Sequence, residues 1–489
     1  MSLLFHCISH RVWIVVLIAM LVLQPIYSPC CYSKTKEEIK TEINKLLQHR
    51  YLKNVDYSIK VLSTTNQEIL LNIGEKKALT PASTTKLLTT ACALNKLTND
   101  FQISTIICSD KEIRNGTLPG NIYLKGYGNP LLTSANLEEM AFTLSLRGLH
   151  IVGGDIIIDD SYFDSKLFRD QWVDDNENSY EEQPVSAVTV DNNTLYVSIS
   201  SSDKINSQPE IYVYPEMNDL KIVNNAKTAN IKRRKETVSL FLKETNGTYT
   251  LTVSGQIGKS RKKYLDAKIK DPTIFCGAQL KTALAMRGII VTGKVKTGRL
   301  PKENVILVKH DLPLENLISV INKNSDNFCA DQLLKIIGAE FSKKEGSAKN
   351  GINAIYSYLK ENKIDTTELK IYDGSGLSRK NKLSSNTLAQ LLYSMANNEK
   401  VFYSFYNSLS CAGVDGTLKH RMSNIESADV RGKTGTLRDV TSIAGYVTSI
   451  DNELLIFIIF MDNVKFGIHE LRSMQDKIVS LLSEFSRSY

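Results

Sequence analysis

The chain has 489 residues. That exceeds the roughly 250–300 at which one hydrophobic core stops growing, so two or three domains are expected. Apolar residues (42%) and charged residues (23%) match a folded globular protein and exclude a collagenous or disordered chain. Sixty basic against 52 acidic residues leave a formal charge of +8, too small at this length to mark a nucleic-acid-binding protein.

Arg11 is the only charged residue before Lys34. The apolar run Val12–Leu23 follows it, then Gln24 and Pro25. This is the core of a secretory signal peptide and falls short of the ~20 apolar residues that span a bilayer. Small residues at Cys31 and Ser33 place cleavage near 33, so residues 1–33 read as a signal peptide and the body as exported. An uncleaved anchor, or a lipid on Cys30 or Cys31, stays open. Five single cysteines remain (Cys92, Cys108, Cys276, Cys329, Cys411), with no C-x-x-C among them. A zinc ribbon or thioredoxin motif is therefore excluded, and these residues read as small core side chains.

Thr35-Lys36-Glu37-Glu38 is a capping box, and Ile39, Ile43, Leu46 and Leu47 follow at helical spacing. The pattern predicts a helix over 35–49. Tyr57–Leu62 and Ile69–Ile73 predict a hairpin around Thr64-Thr65-Asn66. Pro81 breaks the pattern, and an apolar helix begins behind it (Leu87, Leu88, Ala91, Leu94). Residues 100–305 change to short alternating strands, such as Gly247–Val253. An internal echo runs through them. Leu144–Val152 resembles Leu284–Val291, each a helix tail, an Arg-Gly stop and a strand. The two copies read as halves of one domain, 99–187 with 262–305, around a second insertion at 188–261. That insertion carries Lys232-Arg233-Arg234-Lys235, read as a solvated face. From 312 the chain is helical. Val440–Val447 and Leu454–Phe460 then read as central antiparallel strands, with a closing helix from His469. Helices at both ends of one antiparallel sheet give an α+β main domain over 34–98 and 306–489.

Ser83-Thr84-Thr85-Lys86 is an S-x-x-K motif at a helix start. Positions i and i+3 share a helix face, so the amine can sit beside the hydroxyl. A lysine neutralised by burial is a competent base for such a nucleophile. Four other S-x-x-K pairs occur, but only Ser83 combines a turn-forming proline with a long apolar helix. Ser325-Asp326-Asn327 supplies an S-x-N at a junction between helices, where a hydroxyl and an amide can enter one cleft. Ser134/Asn136 and Ser384/Asn386 repeat the pattern elsewhere. Lys433-Thr434-Gly435-Thr436 supplies a K-T-G leading into the apolar strands. A strand edge there offers backbone N–H groups to an extended peptide, and Gly435 lets it approach. The earlier Lys296-Thr297-Gly298 reads as the end of a hairpin.

The ordered set S-x-x-K, S-D-N, K-T-G is that of penicillin-binding proteins and serine β-lactamases. The long gap between Ser83 and Ser325 narrows it. Here the chain resembles the class C low-molecular-mass penicillin-binding proteins, the D-alanyl-D-alanine carboxypeptidase/endopeptidase family, in which two domains are inserted into the catalytic one. Gly126–Leu132 is similar to the family's G-x-G-D-P-x-L, with Asn129 in place of Asp. Gly154–Asp164, Asp373–Arg379 and Ala412–Leu418 match further segments. The resemblance covers nearly all of 35–485. It implies a penicillin-binding, β-lactamase-like catalytic domain with two β-rich insertions. It implies that Ser83 attacks the carbonyl between two D-alanines and Lys86 takes its proton. Ser325 would pass a proton to the leaving amine, and Asn327 would orient substrate and Lys86. Lys433, with Thr434, would bind the terminal carboxylate or assist proton transfer, and Ser83 and Thr436 N–H groups would form the oxyanion hole.

The implied partners are peptidoglycan stem peptides, with β-lactams as inhibitors and a periplasmic location. Peripheral membrane or wall contact stays open, and nucleic acid is not expected. No cofactor or metal is expected, since the histidines show no ligand spacing. Asp373 and Ser375 read as wall residues. Two alternatives share the fold. A β-lactamase would need a deacylating carboxylate, for which Glu340 and Glu345 stand nearest. A non-catalytic wall-binding protein would not need intact motifs.

Overall fold

A computed structural model describes residues 33–168, 183–245, 247–425 and 429–487. The signal-peptide reading falls almost wholly outside them. No helix among the described residues is long and apolar enough to cross a membrane.

The main sheet has six antiparallel strands in the order Ser410–Cys411, Val430–Leu437, Val440–Thr448, Leu454–Asp462, Asp56–Ser63, Ile69–Ile73. The two central apolar strands are buried on both faces, and side-chain alternation divides them. Leu455, Phe457, Ile459 and Met461 pack with Ile39 and Ile43 of the helix Lys36–Leu47 and with Leu471 and Ile478 of the helix Ile468–Ser483. Ile456, Ile458 and Phe460 face the other way, toward Leu87, Leu388 and Leu392. Each such side chain contributes roughly 1.5–3 kcal/mol when fully buried. The expected capping box is present, with Glu38 N–H donating to Thr35 Oγ1 and Thr35 N–H to Glu38. The expected hairpin pairs Asp56–Ser63 with Ile69–Ile73.

The inserted part is built on a five-stranded sheet in the order Val295–Thr297, Ile156–Asp159, Ile122–Gly126, Gln102–Ser109, Val305–Pro313. The internal echo is structural. Helices Ser134–Leu146 and Pro272–Met286 end at Arg147 and Arg287, followed by Gly148 (φ 78°) and Gly288 (φ 72°). Glycine takes this left-handed stop without the Cβ penalty. The strands Ile151–Val152 and Ile290–Val291 then pair in parallel.

Three local readings change. Lys296 and Thr297 do not end a hairpin; their strand pairs in parallel with Ile156–Asp159, since a helix-containing crossover precedes it. Val305–Pro313 joins the inserted sheet by pairing with Gln102–Ser109, where the sequence had placed 306 onward with the main domain. Lys262–Lys268 pairs with Thr194–Ser200, across the edge drawn at 261. Alternation announces a strand but does not name its partner. Cys92, Cys108, Cys276 and Cys329 are buried free thiols, and Cys411 is half-buried. Lys232 to Lys235 are exposed, as a solvated run requires.

Candidate active site

Ser83 lies in the 3-10 turn Ala82–Thr85, which runs straight into the helix Lys86–Leu97. Apolar packing of Leu87, Leu88, Ala91 and Leu94 seats that helix, and Lys86 is carried inside with it. Lys86 is fully buried. Its Nζ donates to Ser83 Oγ at 3.0 Å, to Asn327 Oδ1 at 2.6 Å and to the Ser375 carbonyl at 2.5 Å. An ammonium has three protons, and all three are placed. Burial pushes the Lys86 pKa down to about 8, against the opposing pull of Asp331, Asp373 and Asp326.

Ser325 stands between the helices Leu314–Lys323 and Asn327–Ser342, in a left-handed conformation (φ 58°). Asp326 caps the second helix by accepting from Cys329 N–H. Asn327 thereby begins that helix facing Lys86, while Lys433 Nζ donates to Ser325 Oγ at 2.8 Å. Lys433 is also fully buried. Burial first, then the charge of Lys86, pushes its pKa well below the usual lysine value.

The K-T-G segment lies on the strand Val430–Leu437. Its inner side pairs with Val440–Thr448 along its length. On its outer side, Ser410 and Cys411 pair only with Gly432 and Arg431, so among the described strands no partner covers the edge beyond Gly432. Gly435 is required here. A Cβ would lie 2.9 Å from Ser83 N, 2.8 Å from Pro81 O and 2.2 Å from Ser442 Oγ. Ser442 Oγ donates to Pro81 O at 2.7 Å and ties this sheet to the serine turn. Thr434 Oγ1 donates to Thr417 Oγ1 at 2.8 Å. Thr436 is exposed and accepts from Arg472 at 3.0 Å.

The structure thus gathers Ser83, Lys86, Ser325, Asn327, Lys433 and Gly435 into one contiguous set, with Thr434 and Thr436 along the same edge. The look-alike motifs serve other ends. Ser384 caps the helix Ser385–Ala396, and Asn136 completes a capping box with Thr133. Glu340 accepts from Tyr162 and pairs with Lys343, and Glu345 pairs with Arg299. Among the described residues no His, Cys, Asp or Glu group is arranged to hold a metal.

Three contributions were not assigned from the sequence. The Ser375 carbonyl is the third acceptor for Lys86. Asp373, read as a wall residue, accepts from Gly376 N–H, Ser378 N–H and Asn381, and so folds the loop that presents that carbonyl. Asp331 fixes the same loop through Gly374 N–H. Its position four residues after Asn327, on one helix face, was the available signal.

The family model for the D-Ala-D-Ala carboxypeptidase 3 (S13) family matches residues 39–485. The chain belongs to that family. This S13 peptidase is 27% identical over 417 residues to the D-alanyl-D-alanine carboxypeptidase DacB of Haemophilus influenzae, covering 84% of this chain and 86% of that one. It is 28% identical over 471 residues to a D-alanyl-D-alanine carboxypeptidase of an Actinomadura strain, covering 92% and 85%. Its fold matches the crystal structure of penicillin-binding protein 4 from Haemophilus influenzae with a TM-score of 0.77 at 24% identity, over 91% of this chain and 99% of that one. The S13 peptidase is an α+β serine DD-peptidase.

Proposed function

We propose that this S13 peptidase is exported to the periplasm and hydrolyses peptidoglycan stem peptides or crosslinks through an acyl-enzyme on Ser83. The observation that carries this reading is the 3.0 Å contact of Ser83 Oγ with a buried Lys86 whose pKa is pushed down to about 8. A neutral fraction of Lys86 exists near pH 7 and can take the serine proton.

Ser83 Oγ attacks the carbonyl between the two D-alanines as Lys86 Nζ accepts its proton. The oxyanion forms against the N–H groups of Ser83 and Thr436, which the bare Cα of Gly435 allows to converge. Collapse breaks the C–N bond. The proton taken by Lys86 passes by way of Lys433 and Ser325, 2.8 Å apart, to the leaving D-alanine amine, which returns Lys86 to its neutral form. Thr434, Thr436 and Lys433 receive the terminal carboxylate, and Asn327 orients substrate and Lys86. Water, deprotonated at the same lysine, then releases the acyl group and restores Ser83.

A β-lactam amide presents the same carbonyl and carboxylate, so penicillin is expected to acylate Ser83. A β-lactam complex has been solved for the Haemophilus influenzae relative. The exposed Lys232–Lys235 run supports peripheral contact with an anionic wall or membrane surface. Mass analysis of muropeptides after incubation with wild type and Ser83→Ala tests the activity. Loss of one alanine identifies a carboxypeptidase; dimers becoming monomers identify an endopeptidase. Wild type that alters neither overturns the proposal.

A further inference from the structure

A second polar cavity lies in the inserted part, apart from the residues of the catalytic set. It has a volume of about 160 Å³. That is below the roughly 300–1,000 Å³ of pockets that enclose drug-sized ligands, so it suits one ring-sized group. Helices Ser134–Leu146 and Pro272–Met286 contribute Glu138, Gln279 and Thr282 to its wall. Strand Glu210–Tyr214 and the residues after it contribute Tyr212, Tyr214 and Glu216.

The sheet beside the cavity continues it outward. In register, Tyr264, Ser198 and Tyr212 form one row across three strands. Asp266, Tyr196 and Tyr214 form the next. Directly paired residues point to the same side of a sheet, so four tyrosines share one face. All four are exposed, Tyr264 at 72% and Tyr212 at 57%. Monomeric surfaces seldom leave such an aromatic group uncovered without a partner.

The cavity's chemistry narrows that partner. Gln279 is 2% exposed, and its Nε2 is buried with no acceptor. An unmet buried donor costs about 1–3 kcal/mol, so a ligand that supplies an acceptor gains. An ammonium supplies none. An anion would supply one, but Glu216 lines the same space and repels it, and Glu138 beside it, 3.9 Å from Arg287, adds to that in part. What remains is a neutral ligand with an acceptor for Gln279, hydroxyl donors for the carboxylates and a flat C–H face for the tyrosines. An N-acetylated sugar carries all three: the acetamido carbonyl, the ring hydroxyls and the pyranose face.

We propose that this cavity and its tyrosine face bind an N-acetylhexosamine unit of a glycan strand, with the acetamido carbonyl accepting from Gln279 and the ring stacked on Tyr212. The site is separate from Ser83 and does not rest on the peptidase reading. The test is calorimetric titration of the full chain with chitotriose, a trimer of N-acetylglucosamine. Cellotriose, which lacks the acetamido groups, is titrated in parallel. Saturable binding of chitotriose is expected, with cellotriose at least tenfold weaker. Tyr212→Ala, an exposed change that leaves the core intact, and Gln279→Leu are each expected to weaken chitotriose at least tenfold. Both variants are expected to keep wild-type penicillin labelling. Absence of saturable chitotriose binding, equal binding of cellotriose, or wild-type affinity in Tyr212→Ala overturns the proposal. Labelling is read independently, so failure here is distinguishable from failure of the peptidase assignment.

Discussion

Lys86 Nζ lies 3.0 Å from Ser83 Oγ while its two other protons are held by Asn327 and Ser375. The serine is thus the one partner of that amine that can surrender a proton. Replacing Lys86 by Met keeps a straight chain in the same space but removes the base. General-base catalysis contributes about 10²–10⁴-fold, so acylation by a labelled penicillin is expected to slow by that factor. Stopped-flow labelling checks it, with circular dichroism to confirm the fold. Acylation within threefold of wild type would exclude Lys86 as the base.

The same lysine sets a pH dependence. Its neutral form is the reactive one, so the acylation rate is expected to rise through about pH 8 and level off above it. Stability follows with a determined sign. Between about 8 and the ordinary lysine value of 10.5, the unfolded chain holds the proton that folded Lys86 has lost. The unfolded state then binds more protons, so this lysine's contribution to stability rises with pH across that window. Below pH 8 the burial penalty is fully present. Lys86→Met is therefore expected to be more resistant to urea than wild type at pH 7, with the gap closing toward pH 10. A gap independent of pH would contradict the depressed value.

Gly435 is where the strand meets the turn that carries Ser83. A Cβ placed there would lie 2.9 Å from Ser83 N and 2.8 Å from Pro81 O. Both contacts are backbone and cannot swing aside. Gly435→Ala is expected to destabilise by about 1–3 kcal/mol, as overpacked interiors do, and to cut acylation at least tenfold. Thermal denaturation and penicillin labelling read the two effects separately.

Asp373 acts through the loop it folds. It accepts from two backbone N–H groups and from Asn381, all buried. Asp373→Ala leaves those donors unmet at about 1–3 kcal/mol each. Faster amide exchange at 374–378 is expected, with slower acylation because Ser375 O no longer fixes Lys86. Unchanged exchange there would remove the positioning role.

Arg472 reaches Thr436 Oγ1 at 3.0 Å from the last helix and forms no ion pair among the described residues. A guanidinium without a counter-ion at the peptide edge suits the substrate's terminal carboxylate. Arg472→Gln is expected to raise KM for a D-alanyl-D-alanine peptide about tenfold while kcat holds. The effect is expected to vanish on the matching C-terminal amide. An equal loss on both peptides would show that Arg472 only props the strand.

Much of this was legible in the residues. Thr35 and Glu38 announced a capping box because its chemistry is local. The unbroken apolar run Leu454–Phe460 announced a central strand, and the strand is buried along nearly its whole length. Pro81 and the apolar helix separated Ser83 from its look-alikes. Partner choice between distant segments was less legible. Val305–Pro313 carries nothing in its own pattern that names Gln102–Ser109 as its neighbour. The Ser375 carbonyl was invisible for a related reason: every residue has one, and only the loop fold aims this one at Lys86.

The central claim is that Ser83 is the nucleophile of a DD-peptidase. Peptide mapping by mass spectrometry after brief exposure to penicillin tests it most directly, with D-alanine release from a stem peptide measured in parallel. One penicilloyl adduct on the peptide carrying Ser83 is expected in wild type. Ser83→Ala is expected to show no adduct and to release no D-alanine. A penicilloyl group on another residue, or full labelling of Ser83→Ala, would contradict the account.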